Sequence, residues 1–279
     1  MSLLAALATP GIASAQMSQD ECEQAWLRAV GIAFSIVPYF LTGDSMREDQ
    51  REAEATKTRT TDTGWCRLDA DQPALRGADF AVLEWRADGI DGFINDDKLP
   101  TRFEAQIIGL EVDGEMRPDI SLRFVARRVP DDGLLVFEQI VLSTADETDV
   151  VATAILGGAF LHDVANAQIS LGGMHLTSLS ATAYTSRDFN MLFLPELAGF
   201  DVADAISALT FQQLDRRSRR ELLSFSNGFP GVTGTLQVDF RSERGLGMMQ
   251  FGMAQSREGA DAVAFALSGA TVAVDWQPR

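Results

Sequence analysis

The sequence predicts a mainly β fold of the α+β class: a large curved antiparallel sheet, with an N-terminal helix and a helical insert packed on one face. Three observations carry this. Apolar residues recur at helical spacing near the start and in one later segment. Elsewhere the period is two, as in Ile120, Leu122, Phe124 and Ala126 against Ser121, Arg123 and Arg127, with Val125 the exception. Asp88-Gly89, Asp113-Gly114, Asp131-Asp132-Gly133 and Gly172-Gly173 break the chain at intervals that suit consecutive hairpins.

Residues 1–15 read as a signal-peptide-like segment, with Leu3 to Ala8 as its apolar region and Ala13-Ser14-Ala15 as the small-residue cleavage site. The segment lacks the expected leading Lys or Arg, and so many Ala and Leu residues also suit an ordinary buried or disordered N-terminus. It is too short to span a bilayer, which takes about 20 apolar residues. The closest later run, Ala29 to Leu41, contains Pro38. Residues 16–279 are then expected to form a single exported domain, periplasmic or secreted, and not an integral membrane protein.

Within it, residues 16–63 form a helical N-terminal region. Cys22, Trp26, Ala29, Val30, Ala33, Phe34 and Val37 lie at helical spacing, and Asp20, Glu21 and Glu23 suit the positive end of the helix dipole. The helix ends at Leu41-Thr42-Gly43-Asp44 or kinks at Pro38. Met46 to Thr63 is polar, an exposed helix or a connection.

Residues 64–186 form the antiparallel sheet. Its further strands are Ala78 to Arg86, Phe103 to Val112, Leu134 to Ser143, Val150 to Leu156, Gln168 to Leu171 and His175 to Tyr184. Residues 187–229 form the helical insert. Met191, Leu192, Leu194 and Leu197 make one piece and Val202, Ile206, Leu209 and Leu214 another, separated by Pro195 and Gly199. Residues 230–279 supply closing strands: Leu236, Val238 and Phe240; Met248 to Met253; Val263 to Leu267; and Val272, Val274 and Trp276.

The formal net charge of −17 argues against a nucleic-acid partner, which would require an excess of Lys and Arg. The only two cysteines, Cys22 and Cys66, most simply form a disulfide if the chain is exported, worth roughly 4 kcal/mol in the chain-entropy model. Two reduced buried thiols are the alternative. No Cys-x-x-Cys occurs and there are 2 histidines, so neither a metal nor a cofactor is expected.

No motif for chemistry emerges. His162 and His175 lie in no nucleophile motif, and Gly-x-Ser-x-Gly is absent. Asp88 to Asp97 is rich in Asp, Asn and Gly, which suits a calcium loop or, more simply, a turn. Gly245-Leu246-Gly247 fails as a dinucleotide fingerprint and reads as a tight turn. The basic cluster Arg216, Arg217, Arg219 and Arg220 would contact a phosphate or lipid head group through Arg216 and Arg220, or else form a solvated helix face. Met248, Met249, Phe251 and Met253 would line an apolar cavity or belong to ordinary core.

The segments Cys22-Glu23-Gln24-Ala25-Trp26, Gly64-Trp65-Cys66 and Gly234-Thr235-Leu236 leading to Gly245-Leu246-Gly247 resemble those of exported bacterial envelope proteins of uncharacterised role, built on long antiparallel sheets. The strand-rich middle is similar in texture to AsmA-like envelope proteins. That resemblance implies lipid handling and brings no catalytic residues.

The expected function is therefore a non-enzymatic periplasmic one. A lipid or other amphipathic molecule would bind in an apolar groove lined by Phe240, Met249, Phe251 and Phe265. The alternative is an envelope scaffold that binds another protein through a sheet edge or the helical insert. A third reading, a hydrolase without recognisable motifs, has no positive support.

Overall fold

The period-two pattern resolves into one open, ten-stranded antiparallel sheet whose spatial order is the order of the sequence. The strands are β1 (Arg59–Thr60), β2 (Cys66–Asp69), β3 (Phe80–Asp88), β4 (Arg102–Val112), β5 (Glu115–Val129), β6 (Leu134–Thr144), β7 (Glu147–Gly157), β8 (His175–Thr185), β9 (Gly234–Gly247) and β10 (Ala270–Pro278). The computed structural model describes residues 16–36, 44–72, 79–112, 114–145, 147–170, 172–194, 201–257 and 259–279. The signal-like segment, Pro38, Pro195, Leu197 and Gly199 lie outside them.

Register shows why this sequence makes one sheet. Cys66, Trp85, Ala105, Phe124, Ile140, Ala152, Ala181, Val238 and Val274 are successive cross-strand partners from β2 to β10. A parallel row runs Leu68, Leu83, Ile107, Leu122, Leu142, Val150, Ala183, Leu236 and Trp276. A third runs from Ala87 through Phe103, Ala126, Phe137, Ala154, Leu179 and Phe240 to Val272. Partners and residues two apart share a face, so one face of the sheet is apolar across its whole width.

The described residues also form helices, some of which cover that face at its two ends. The helices are α1 (Gln19–Ile36), α2 (Asp44–Ala55), α3 (Ile90–Asn95), α4 (Val164–Ser170), α5 (Arg187–Phe193), α6 (Val202–Ala208), α7 (Arg216–Gly228), α8 (Met248–Gln255) and α9 (Gly259–Ala266). One core joins Cys22 and Ala25 of α1 and Ile90 and Phe93 of α3 to Leu68, Trp85, Ala87 and Ala105. Another joins Ile206 of α6, Leu222 and Leu223 of α7 and Val263 of α9 to Leu236 and Val274. A third surrounds Phe240 and Leu246.

Three expected strands are corrected. Met248 to Met253 lies in α8, Val263 to Ala266 lies in α9, and Gln168 to Ser170, the described part of Gln168 to Leu171, is the end of α4. The apolar runs are too short for periodicity to separate strand from helix. Gly245-Leu246-Gly247 is no turn either: it ends β9, with Leu246 opposite Leu176. Gly245 is needed there because a Cβ would fall 1.8 Å from Cδ2 of His175. The Asp88 to Asp97 stretch holds α3, entered through Gly89 in the left-handed region.

Both outer strands are stoppered by the chain itself. On β10, the Val272 amide donates to the Gln213 carbonyl (2.7 Å) and the Val274 amide to Ser218 Oγ (3.0 Å). On β1, the Thr60 amide donates to Gln19 Oε1 (2.9 Å), and Gln19 Nε2 donates to the Thr58 carbonyl (2.8 Å).

Candidate apolar binding site

Between its two helical ends the apolar face is incompletely covered. Leu122, Phe124, Phe137, Ile140, Leu142, Val150, Leu179 and Ala183 on β5 to β8 are only half-buried, although a central strand with one apolar face normally buries it against another layer. This stretch is the part of the apolar face that lies between the two helical cores. An aromatic path crosses it: Phe103 lies 5.9 Å from Phe124, and Phe124 lies 6.2 Å from Phe137, centroid to centroid.

The path leads to a cavity of about 240 Å³ between α1 and the sheet, lined by Ala25, Trp26 and Ala29 above, Leu83, Trp85 and Ala87 below, and Ile90, Phe93, Pro100 and Phe103 at its side. No lining side chain is charged. Such voids are rare in packed interiors, and a closed one costs about 24 cal/mol per Å³. Alanine at positions 25 and 29, one helical turn apart, leaves the space open on the α1 side.

Tethers stop α1 from settling into the void. The Cys22–Cys66 disulfide, with Cα atoms 5.4 Å apart, binds one part of the helix to β2. Trp26 Nε1 donates to the Ala53 carbonyl (2.9 Å), which fixes the indole as a wall 6.0 Å from Trp85. Arg28 pairs with Asp97 beyond α3. Arg128 closes the neighbouring loops by donating to the carbonyls of Leu99, Pro100 and Leu161, and its burial lowers its pKa from the ordinary guanidinium value.

The opposite face mixes apolar residues such as Val125, Val141 and Ile155 with a network of charged side chains. Glu104, 2 % exposed, pairs with Arg86, Arg102 and Arg123. Arg102 also reaches Glu138, which binds Arg127 at 2.8 Å. Burial by itself pushes the Glu138 carboxyl up, but hydrogen bonds from Arg127 and Arg102, aided by their charges, outweigh it and hold the pKa below the usual value. Trp65 lies under Arg86, with the guanidinium 4.7 Å from the ring centroid. This lattice fixes β3 to β6 from the solvent side.

The residues expected to line a groove are not brought together as one. Phe240 is buried in the third core. Met249 on α8 is 75 % exposed, and Phe251 beside it is exposed as well. Phe265 on α9 lies beneath the Arg257 guanidinium, 4.1 Å from its ring centroid. The residues missed in the sequence, Ala25, Trp26, Ala29, Phe93 and Phe103, come from segments far apart in the chain. No spacing in the sequence signals that these residues meet.

The basic cluster is likewise divided among separate tasks. Arg219 donates to the carbonyls of Leu214, Ile206 and Leu209, which joins α7 to the end of α6. Arg217 pairs with Asp275 on β10. Arg216 stands 5.5 Å from the Phe211 ring centroid, and Arg220 is exposed. Arg216, Arg217 and Arg220 are all exposed, Arg217 being paired with Asp275, and they lie at the end of the sheet remote from the cavity.

His162 is exposed, while His175 packs against Gly245 and places Nδ1 3.0 Å from the Gly173 carbonyl oxygen. Among the described residues no group of three or more His, Cys, Asp or Glu side chains is placed to hold a metal ion, and no helix is long and apolar enough to cross a membrane. No protein-family model matches the chain, and neither curated proteins nor solved structures give a significant match.

Proposed function

We propose that the protein is a non-enzymatic carrier or sensor of a lipid or similar amphipathic molecule, held on the apolar face of the sheet. The observation that carries this is the continuous apolar face, capped by helices at both ends, whose larger side chains on β5 to β8 are only half-buried while Ala126, Ala152 and Ala154 among them are buried. A face of this kind gains roughly 25 cal/mol for each Å² of apolar surface it removes from water, so a hydrocarbon moiety is its natural complement. The AsmA-like texture of the strands points the same way. Export to an oxidising compartment agrees with the Cys22–Cys66 bond.

The scaffold reading finds less support at the sheet edges. A partner strand needs free edge groups, and the Val272, Val274 and Thr60 amides are already bound by Gln213, Ser218 and Gln19.

Native mass spectrometry on protein exported to the periplasm and purified without detergent tests the proposal. A reproducible adduct of lipid mass, released by organic solvent, is the expected result. Protein that stays empty there and takes up no added lipid overturns it.

A further inference from the structure

We infer that the cavity beneath α1 receives the terminus of an unbranched alkyl chain, and that the ligand's polar end lies outward over the half-buried apolar face of the sheet. This rests on the carrier reading above and names its ligand class and orientation. The cavity's volume of about 240 Å³ exceeds the roughly 150 Å³ that suffices for a benzene-sized guest. Its lining offers no charged side chain, so it suits a hydrocarbon and not a head group.

The shape also favours a chain end over a compact ring. The cavity is a partly open, apolar-lined recess between a helix and a sheet, and its Phe103 wall is continued by Phe124 and Phe137. A linear chain can lie along that path with its end in the recess. The disulfide, the Trp26 to Ala53 hydrogen bond and the Arg28–Asp97 pair hold the recess open before anything enters, so binding requires little reorganisation. The net charge of −17 disfavours an anionic head group, which makes an uncharged amphiphile the best-matched probe.

The test uses 1-decanol and 10-bromodecan-1-ol with the full chain. Calorimetry measures binding, and tryptophan emission locates the bromine, which quenches an indole only at close range. Trp26 and Trp85 line the recess, whereas Trp65 belongs to the opposite face and Trp276 packs on Phe225. The brominated alcohol should quench well beyond 1-decanol, and Trp26→Phe should remove much of the difference. Ala29→Phe, at an exposed position in the lining, should weaken binding at least tenfold while leaving the melting temperature near wild type.

Binding of both alcohols with equal emission overturns the placement while leaving the carrier reading intact. No binding of either alcohol to a protein that still co-purifies with lipid overturns the alkyl-terminus assignment alone. No binding of alcohol and no lipid adduct overturns both. If Ala29→Phe melts early, the bromine quenching in unaltered protein decides the question.

Discussion

Val274 and Ser218 meet where the sheet would otherwise end: the amide of the outer strand donates to the serine hydroxyl at 3.0 Å, and Ser218 is 2 % exposed. The helix that presents the serine begins at Asp215, whose side chain accepts from the Ser218 amide at 2.7 Å. One residue therefore serves as both the capped position of a helix and the stopper of a strand. Ser218→Ala should leave the buried Val274 amide without its acceptor, a loss of about 1–3 kcal/mol. Because α7 still covers the strand there, self-association should not rise with it. Urea denaturation measures the loss, and light scattering checks that association is unchanged.

Glu104→Gln should be among the most damaging single changes on the face that carries the charged network. It removes the charge from a carboxylate ringed by Arg86, Arg102 and Arg123. Breaking a buried ionic group of this kind costs about 3–5 kcal/mol. Equilibrium denaturation should show it, with ligand binding preserved under conditions where the variant remains folded.

Cys22→Ser should destabilise the protein by about 4 kcal/mol in the chain-entropy model, with native-state relaxation reducing the figure. The first part to loosen should be α1, so protection of its amides from hydrogen exchange should fall before that of β5 to β8. Equal loss across the sheet would show that the bond supports the whole fold and not the helix.

Arg219 and its neighbours should separate cleanly. Arg219→Leu strips three carbonyls at the α6–α7 junction of their donor and should cost about 3 kcal/mol. Arg216→Glu combined with Arg220→Glu should leave the melting temperature nearly unchanged, because neither residue carries the fold.

Acid should weaken the protein through carboxylates whose folded pKa values are held low. Hydrogen bonds from the backbone of Asn166 and Ser218 depress Asp163 and Asp215 respectively, and the Arg117 hydrogen bond depresses Asp119. Glu138 joins them. A group depressed on folding contributes stability that is complete above its unfolded pKa and is lost as pH falls through its folded one. Stability should thus be flat toward neutral pH and decline from about pH 4 downward. Glu138→Gln should shallow that decline when melting temperature is followed against pH.

The sheet was legible wherever one strand face meets solvent. Ile120, Leu122, Phe124 and Ala126 alternate with polar residues because their side is the apolar one, and the structure places them so. The exception Val125 lies beside an extra residue in β6, Glu138, where the register shifts. The Cys22–Cys66 pair followed from composition and is bonded. Illegible were short segments apolar on every side, such as Met248 to Met253, whose helix is only eight residues long. The cavity was hidden for a different reason. Ala25, Phe93 and Phe103 are joined only by tertiary packing, and no spacing in the chain encodes an empty volume.

The sequential strand order also governs how the chain finds its structure. The pairs β4–β5, β5–β6 and β6–β7 join segments linked by only a few residues, so the centre of the sheet can assemble hairpin by hairpin with little loop-closure entropy to overcome. The β8–β9 seam has the longest connection, since Thr185 must meet Gly234 across a separation of 49 positions that includes α5, α6 and α7. The first eight strands can zip together early, while β9 and β10 must wait for α5 to α7 to collapse. Refolding should therefore be limited by closure of that one seam, with Thr185 and Gly234 among the last neighbours to meet.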